Sequence, residues 1–156
     1  MPDGRIVFAG GIGVNSAVQS TAEMRGPPEQ GAVDAAWTWR ALPAMSVGRF
    51  GYCGCVMSDG RFAILRSSAA GAMAGADTSS CEAMLSGDDE QWQTLAPMHD
   101  SRSHFACAAV ARCVIVVGGS GRRTGEVYNE VLDRWLRLPC DLPHISREGW
   151  TGSALL

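Results

Sequence analysis

Three segments of the sequence share one order of residues, and this repeat constrains the fold more than any single motif. They begin at Trp39, Trp92 and Trp135, which lie 53 and then 43 residues apart. Each Trp is followed by Leu three residues later, then by Pro, and then by an Arg. The Arg residues are Arg49, Arg102 and Arg147. A period of this size predicts repeated structural units, each packed against its neighbours.

Further landmarks recur in the same order within each unit. A short apolar run ends in two small residues, and a segment containing Glu follows it. The small pairs are Gly10–Gly11, Ser67–Ser68 and Gly118–Gly119, and the Glu segments span 20–24, 79–85 and 124–130. Another strand candidate follows each Arg, at 50–57, 104–111 and 149–156. Short runs bounded by Gly, Pro, Ser and Asp predict four short strands per unit.

The landmarks of the third unit resemble the kelch repeat. They are Gly118–Gly119, Glu126, Tyr128, Trp135 and Leu138–Pro139. The resemblance covers essentially the whole chain and implies an all-β, kelch-type β-propeller in which each repeat is one four-stranded blade. Units one and two depart from the pattern. Ser67–Ser68 replaces the glycine pair of unit two, and Met24 and Met84 stand near the place of Tyr128.

The repeat divides the chain into three units. Unit one spans about 4–48, unit two about 49–101 and unit three about 102–146, while 147–156 predicts the first strand of a further or closing blade. Three blades are fewer than the ~4–8 that propellers typically contain. The chain is therefore predicted to be part of a larger ring, which we favour, or to form a six-bladed ring as a homodimer.

The landmarks have structural roles that follow from their chemistry. Paired glycines end a strand where chains crowd together, because glycine adopts positive φ without a steric penalty. Each Trp is expected to be buried between neighbouring blades, with its indole N–H bonded to an acceptor. The recurring Arg residues are expected at blade junctions, where they would donate to backbone carbonyls.

Composition and charge exclude several classes of partner. With 46% hydrophobic and 19% charged residues the chain is typical of a globular protein. A net charge of −3 leaves no basic stripe for nucleic acid. The apolar run at 113–117 is too short to cross a membrane. No secretory pattern is seen at the N-terminus, so we expect a cytoplasmic location and free thiols for the six cysteines.

No motif for catalysis, a cofactor or a metal is predicted. The glycine runs at 10–17 and 118–125 are weak as nucleotide fingerprints, because the same position recurs as a turn in each unit. Cys53 and Cys55 lack the second Cys pair of a zinc knuckle. His99, His104 and Cys107 are close in sequence, but they form no recognised nucleophile arrangement.

The kelch resemblance implies a non-catalytic scaffold that binds a partner protein through loops on one propeller face. The loops span 12–19, 69–78 and 120–124 after the small pairs, and 43–48, 97–101 and 140–146 before the Arg positions. Candidate contact residues are Asn15, His99, Ser101, Ser120, Arg122, Arg123 and His144. The family includes ubiquitin-ligase substrate receptors and actin-binding proteins. The alternative is an enzyme on a similar propeller, of the sugar epimerase or oxidase type.

Overall fold

The computed structural model describes residues 4–26, 38–65, 79–85, 90–119 and 121–143. Within these ranges the chain forms eleven β-strands and no helix, as the sequence predicts. The strands are β1 (Ile6–Ala9), β2 (Ala22–Gly26), β3 (Thr38–Leu42), β4 (Cys53–Val56), β5 (Phe62–Leu65), β6 (Cys81–Leu85), β7 (Gln91–Leu95), β8 (Ala106–Val110), β9 (Cys113–Val117), β10 (Gly125–Asn129) and β11 (Arg134–Arg137).

These strands form three antiparallel sheets, one for each repeat. Unit one contains β1-β2-β3, unit two β4-β5-β6-β7 and unit three β8-β9-β10-β11. Neighbouring strands in each sheet are also neighbours along the chain, as they are in the blade of a propeller. The all-β class and the partial propeller are therefore confirmed. Ser67–Ser68 and the strand predicted at 149–156 lie outside the described residues, and the unit boundaries stay a prediction.

The strand register divides the side chains of each sheet between two faces, because side chains alternate along a strand. One face carries the recurring Glu and Trp, and we call it the leading face. The other carries the Leu three residues after the Trp, and we call it the trailing face. On the leading face of unit two, Met84 lies opposite Trp92, and in unit three Tyr128 lies opposite Trp135.

The core consists of two layers between sheets, and each joins a trailing face to a leading face. The first layer packs Ala22, Met24 and Leu42 of unit one against Ile64, Met84 and Trp92 of unit two. The second packs Ala63, Leu65, Cys81, Ala83 and Leu95 of unit two against Val114, Val116, Tyr128 and Trp135 of unit three. Burial of these apolar side chains, at ~25 cal/mol per Å², supplies the main attraction between units.

The recurring Trp residues link these layers through their indole N–H groups. Trp92 donates to the carbonyl of Pro43 at 2.8 Å, and Trp135 donates to that of Ala96 at 2.8 Å. Each acceptor is four residues after the Trp of the preceding unit. Trp39 is the exception to the expected burial: it is 48% exposed, against 4% for Trp135. Among the described residues, no sheet packs on the face that carries Trp39.

The register also corrects one assignment in unit one. The residue that lies opposite Trp39 is Arg25, not Met24, which was placed near the position of Tyr128. Met24 points to the trailing face and is buried in the first core layer. The Arg25 guanidinium lies 5.8 Å from the Trp39 ring centroid, in cation–π range. The sequence could not separate adjacent residues, because a shift of one position reverses the face.

The glycine pairs form tight corners between consecutive strands. Gly10 has a φ of 63°, and a Cβ there would lie 2.5 Å from the Arg49 carbonyl oxygen. Gly119 has a φ of 109°, and a Cβ would lie 3.0 Å from the Ser103 carbonyl oxygen. Both corners lead into strands, β2 and β10, and not into the helix that a dinucleotide-binding turn requires.

The expectation that all six cysteines are free thiols is wrong. A disulfide joins Cys53 on β4 to Cys107 on β8, with a Cα–Cα distance of 6.2 Å and a sequence separation of 54 residues. These two strands lie against each other where units two and three meet. Cys55, Cys81, Cys113 and Cys140 are free. The sequence places Cys53 and Cys107 in different units, so their proximity depends on packing between the sheets.

We expect the Cys53→Ser/Cys107→Ser variant to lower the free energy of unfolding by ~4 kcal/mol, since the disulfide restricts a long loop in the unfolded chain. Urea denaturation measures the difference, and Cys140→Ser is the control because Cys140 is exposed and unpaired. Titration of the unfolded, unreduced wild type should find four thiols. Six reactive thiols would contradict the pairing.

Candidate functional site

Among the described residues, the loops that follow the glycine pairs of units one and three lie beside loops that precede a recurring Arg. In unit one, the loop after the glycine pair meets the loop before Arg49. Gly11 N–H donates to the Arg49 carbonyl at 2.7 Å, and Arg49 N–H donates to the Gln19 carbonyl at 3.0 Å. Arg122 follows the glycine pair of unit three, and its Nε donates to the Ser101 carbonyl at 2.7 Å. This bond joins the loop of unit two that precedes Arg102 to the glycine loop of unit three. These loops are the ones for which the kelch resemblance implies partner binding.

In units two and three, a buried Glu accepts hydrogen bonds from the loop at the end of the preceding unit. Glu82 accepts hydrogen bonds from Ser46 N–H at 3.2 Å, from Ser46 Oγ and from the Arg49 guanidinium. Arg49 also donates to the Ser80 carbonyl at 2.9 Å. Glu82 and Arg49 are both 1% exposed. We call this arrangement the carboxylate clamp: a Glu bonded to the loop at the end of the unit before and to the Arg that directly follows that loop.

The clamp recurs between units two and three. Glu126 accepts hydrogen bonds from the N–H groups of His99 at 2.8 Å and Asp100 at 3.0 Å, and from Arg102 Nη2 at 3.2 Å. Arg102 donates further bonds to the carbonyls of Gly118 at 2.7 Å and Thr124 at 2.6 Å. Ser46 and His99 both stand three residues before the Arg that follows their loop. Both clamps therefore combine the Arg with the N–H group of the residue three before it.

The clamp keeps both carboxyls ionised. Burial by itself raises the pKa of Glu82, but hydrogen bonds from Ser46 and Arg49 outweigh it and leave the pKa below its usual value. Burial likewise raises the pKa of Glu126. The hydrogen bonds from His99 and Asp100 and the charge of Arg102 outweigh burial, so the pKa of Glu126 is also below its usual value. Each buried charge is thus matched by an opposite charge and by directed donors.

An arginine cluster lies next to the second clamp, formed by Arg102, Arg122 and Arg137 around Asp100. Arg137 donates two hydrogen bonds to Asp100, at 2.8 and 3.1 Å, and Arg122 Nη1 lies 3.7 Å from Asp100 Oδ1. Thr124 Oγ1 donates to Asp100 at 3.1 Å. Burial raises the pKa of Asp100, but the bonds from Arg137 and Thr124 outweigh it, so the pKa is lowered.

The cluster leaves positive charge facing solvent. The side chains of Arg122 and Arg137 are 38% and 54% exposed, whereas those of Arg102 and Glu126 are fully buried. Three guanidinium groups share the two carboxylates of Asp100 and Glu126. The arrangement can bind an anionic group, because guanidinium groups present paired N–H donors that fit a carboxylate.

The structure brings some of the predicted contact residues together and separates others. His99, Ser101 and Arg122 lie in or next to the arginine cluster. Arg123 lies on the same loop, and its Nε donates to the Leu142 carbonyl at 2.8 Å. Asn15 is exposed on the glycine loop of unit one, at a φ of 72°. Ser120, His144 and Arg147 lie outside the described residues, as does the loop at 69–78.

Sequence reasoning missed four residues of the site. Glu82 and Glu126 recur in the sequence, but their pairing with Arg49 and Arg102 was not predicted. A one-to-one recurrence of Glu and Arg is a signal that could have found this pairing. Asp100 and Arg137 carry no such signal, because Val47 and Ala41 occupy the equivalent positions of unit one. The register places Arg137 opposite Glu126, and Glu126 also accepts a hydrogen bond from Asp100 N–H. Arg137 and Asp100 therefore lie side by side.

Two further observations bear on the chemistry of the chain. Among the residues that the structure describes, no group of three His, Cys, Asp or Glu side chains is arranged to hold a metal ion. No helix in the described ranges is long and apolar enough to span a membrane.

Comparison with known proteins finds a partial similarity. The chain is 43% identical over 56 residues to an F-box/kelch-repeat protein of Arabidopsis thaliana. The similar region covers 32% of this chain and 15% of the relative. No protein-family model matches the chain. The similarity supports kelch-type repeats in about a third of the chain, and the all-β fold agrees with a role in protein interaction.

Both clamps predict that the protein loses stability in acid. The folded state holds the pKa of Glu82 and Glu126 below the ordinary value of 4.5, so their contribution is complete above pH 4.5. It is lost as the pH falls through the lowered pKa values, because the unfolded carboxyls bind protons first. Urea denaturation from pH 7 to pH 3 measures the loss.

Glu126→Gln removes one of the two clamp carboxyls. The free energy of unfolding of this variant should therefore fall less steeply than that of the wild type between pH 7 and pH 3. Asp141→Asn is the matched control, because Asp141 is exposed and makes no side-chain hydrogen bond to other described residues. A free energy of unfolding that stays constant between pH 5 and pH 3 would contradict the role of the clamps.

Proposed function

We propose that this chain is a non-catalytic, kelch-type protein-interaction module that binds an acidic segment of a partner protein through the arginine cluster. The observation that carries the proposal is the exposure of Arg122 and Arg137 beside a carboxylate that is already bonded. Asp100 accepts hydrogen bonds from Arg137 and Thr124, so its acceptor capacity is largely used. An incoming carboxylate would meet exposed donors and an excess of positive charge.

The position of the cluster supports this function. Asp100 and Arg102 lie between β7 and β8, Arg122 lies between β9 and β10, and Arg137 lies on β11. Loops on a rigid sheet scaffold are where binding residues concentrate. The hydrogen bonds of Arg122 Nε to Ser101 and of Arg123 Nε to Leu142 restrain these side chains. Restrained donors lose less conformational entropy when a ligand binds.

The partial similarity to an F-box/kelch-repeat protein supports an interaction role. The kelch resemblance implies two settings for it, recognition of a substrate by a ubiquitin ligase and binding to actin. In either setting the proposal requires an acidic segment on the partner. A cytoplasmic location remains a prediction from the sequence.

A fluorescence-polarisation titration tests the proposal. The probe is a labelled peptide rich in Glu and Asp, and the comparison peptide carries Gln and Asn at the same positions. We expect the acidic peptide to bind more tightly, and its affinity to fall as salt is added, because exposed charges are screened. The Arg122→Gln/Arg137→Gln variant should raise the Kd at least ~10-fold, since two charge-assisted hydrogen-bonding groups are lost.

The matched control is Arg112→Gln/Arg134→Gln, which removes the same charge from exposed positions outside the cluster. Circular dichroism should show that all variants keep the fold. Equal loss of affinity in the two double variants would contradict a specific site and indicate a general charge effect. Equal binding of the acidic and neutral peptides would contradict the proposed ligand class.

A further inference from the structure

The Cys53–Cys107 disulfide lies in the same row of residues as the second clamp. On the sheet of unit three, Cys107 lies opposite Val116, which in turn lies opposite Glu126. Glu126 lies opposite Arg137. Residues that lie opposite each other in an antiparallel sheet point to the same face. The disulfide, the clamp carboxylate and an arginine of the cluster therefore share the leading face of unit three, which packs on unit two.

The equivalent row of unit two has a different composition. It carries Gly54 in place of Cys107 and Thr94 in place of Arg137. The clamp carboxylate, Glu82, is common to both rows. Of the two joints between units that the structure describes, the one with the disulfide is thus also the one with the arginine cluster. The covalent bond accompanies the proposed binding site and not the repeated fold.

The disulfide also anchors the strand that follows the loop of the second clamp. Cys107 on β8 is only five residues after Arg102. Between them, His104 N–H donates to the Gly51 carbonyl at 3.1 Å, which joins the chain before β8 to the chain before β4. Two thiols do not remain at the bonding distance of a disulfide, so reduction requires β4 and β8 to move apart. So short a connection passes the movement to the loop.

We propose that the Cys53–Cys107 disulfide is a redox switch that controls how firmly β8 and the loop before it are held at the arginine cluster. The oxidised form fixes the arrangement described above. Reduction by a dithiol releases β8 and loosens the loop, while the clamp and the apolar core keep the units together. The effect on an acidic segment rests on the proposed function, whereas the effect on the loop does not.

The disulfide is accessible to a dithiol from one side, because Cys53 is half-buried and Cys107 is 5% exposed. A thiolate of the dithiol attacks Cys53 Sγ, and the S–S bond breaks with its electron pair on Cys107 Sγ, which takes up a proton. The second thiol then displaces Cys53 as a thiolate, which is also protonated, and the dithiol becomes a disulfide. Cys107 Sγ lies 3.7 Å from the Gly54 carbonyl oxygen, so the new thiol has an acceptor.

The neighbouring thiols are poorly suited to exchange with this bond. Cys55 lies two residues after Cys53 on β4, but burial raises the pKa of Cys55 to about 12. At neutral pH it is therefore a thiol, and the thiol is a much weaker nucleophile than the thiolate. Cys81 is fully buried. The redox state of the pair consequently follows the external dithiol.

Hydrogen–deuterium exchange of the folded protein, with and without dithiothreitol, tests the switch. Dithiothreitol should raise the thiol count from four to six without loss of the circular dichroism of the sheets. Exchange of the amides from His99 to Cys107 should become at least ~5-fold faster, because it reports local opening. The amides of β1 and β2 should keep their rates, and reoxidation should restore the slow exchange.

Fluorescence polarisation with the Glu- and Asp-rich peptide measures the effect on the proposed site. Reduction should raise the Kd roughly 3- to 10-fold, as expected if about a third to a tenth of the molecules keep the binding-competent loop. Cys53→Ser/Cys107→Ser should match the reduced protein with or without dithiothreitol. Cys140→Ser is the matched control, and it should respond like the wild type because Cys140 is exposed and outside the disulfide.

The outcomes separate the switch from the acidic-segment proposal. Equal exchange rates in the two redox states would overturn the switch, as would a disulfide that dithiothreitol reduces only after unfolding. A reduced protein that loses its sheets would also overturn it. Faster exchange with an unchanged Kd would overturn control of binding. Faster exchange after reduction, with no peptide binding in either state, would support the switch and contradict the acidic-segment proposal.

Discussion

The rest of the structure depends on a buried carboxylate that units two and three each present to the unit before them. Glu82 and Glu126 lie on the central strands of their sheets, yet their hydrogen-bond donors come from the preceding loop and its Arg. Removing the partner of a buried charge costs several kcal/mol, because the remaining charge keeps its desolvation penalty. The loop and the sheet can therefore separate only at a high cost. The apolar layers supply attraction between units, and the clamp fixes which loop lies on which sheet.

This dependence connects the fold to the proposed site. The loop 97–102 contributes two backbone N–H groups and Arg102 to the clamp, and it also contributes Asp100 to the arginine cluster. Asp100 in turn holds Arg137, which lies opposite Glu126 on the neighbouring strand. The exposed guanidinium groups are thus held by residues that the clamp has already fixed. The first clamp lacks such a cluster, because Val47 stands at the position of Asp100.

Much of the fold could be predicted from the sequence, because repetition amplifies weak local signals. A single Trp-x-x-Leu-Pro segment predicts little, but three in the same order predict three similar sheets. The Gly118–Gly119 corner could be predicted because positive φ favours glycine. Alternation predicts the faces of a strand only when its register is known. A shift of one position was enough to confuse Met24 with Arg25.

The remaining features depend on contacts between units. The Cys53–Cys107 bond and the pairing of Glu126 with Arg102 join residues whose proximity is set by how the sheets pack. Trp39 is exposed because no described unit packs on its face, although its local sequence resembles that of Trp92. Asp100 and Arg137 occur in one unit only, so no repeat identifies them. Sequence reasoning predicted the loops that carry the site, but it did not predict the pairing of the recurring Glu with the recurring Arg.

A double-mutant cycle on Arg102 and Glu126 tests the clamp most directly. Unfolding free energies would be measured for Arg102→Met, Glu126→Gln and the double variant. Each single substitution is expected to cost ~3–5 kcal/mol, since each leaves a buried polar group without its partner. The double variant should cost well below the sum, because the two groups act on each other. Costs that add to within ~0.5 kcal/mol would contradict the clamp as the interaction that joins the units.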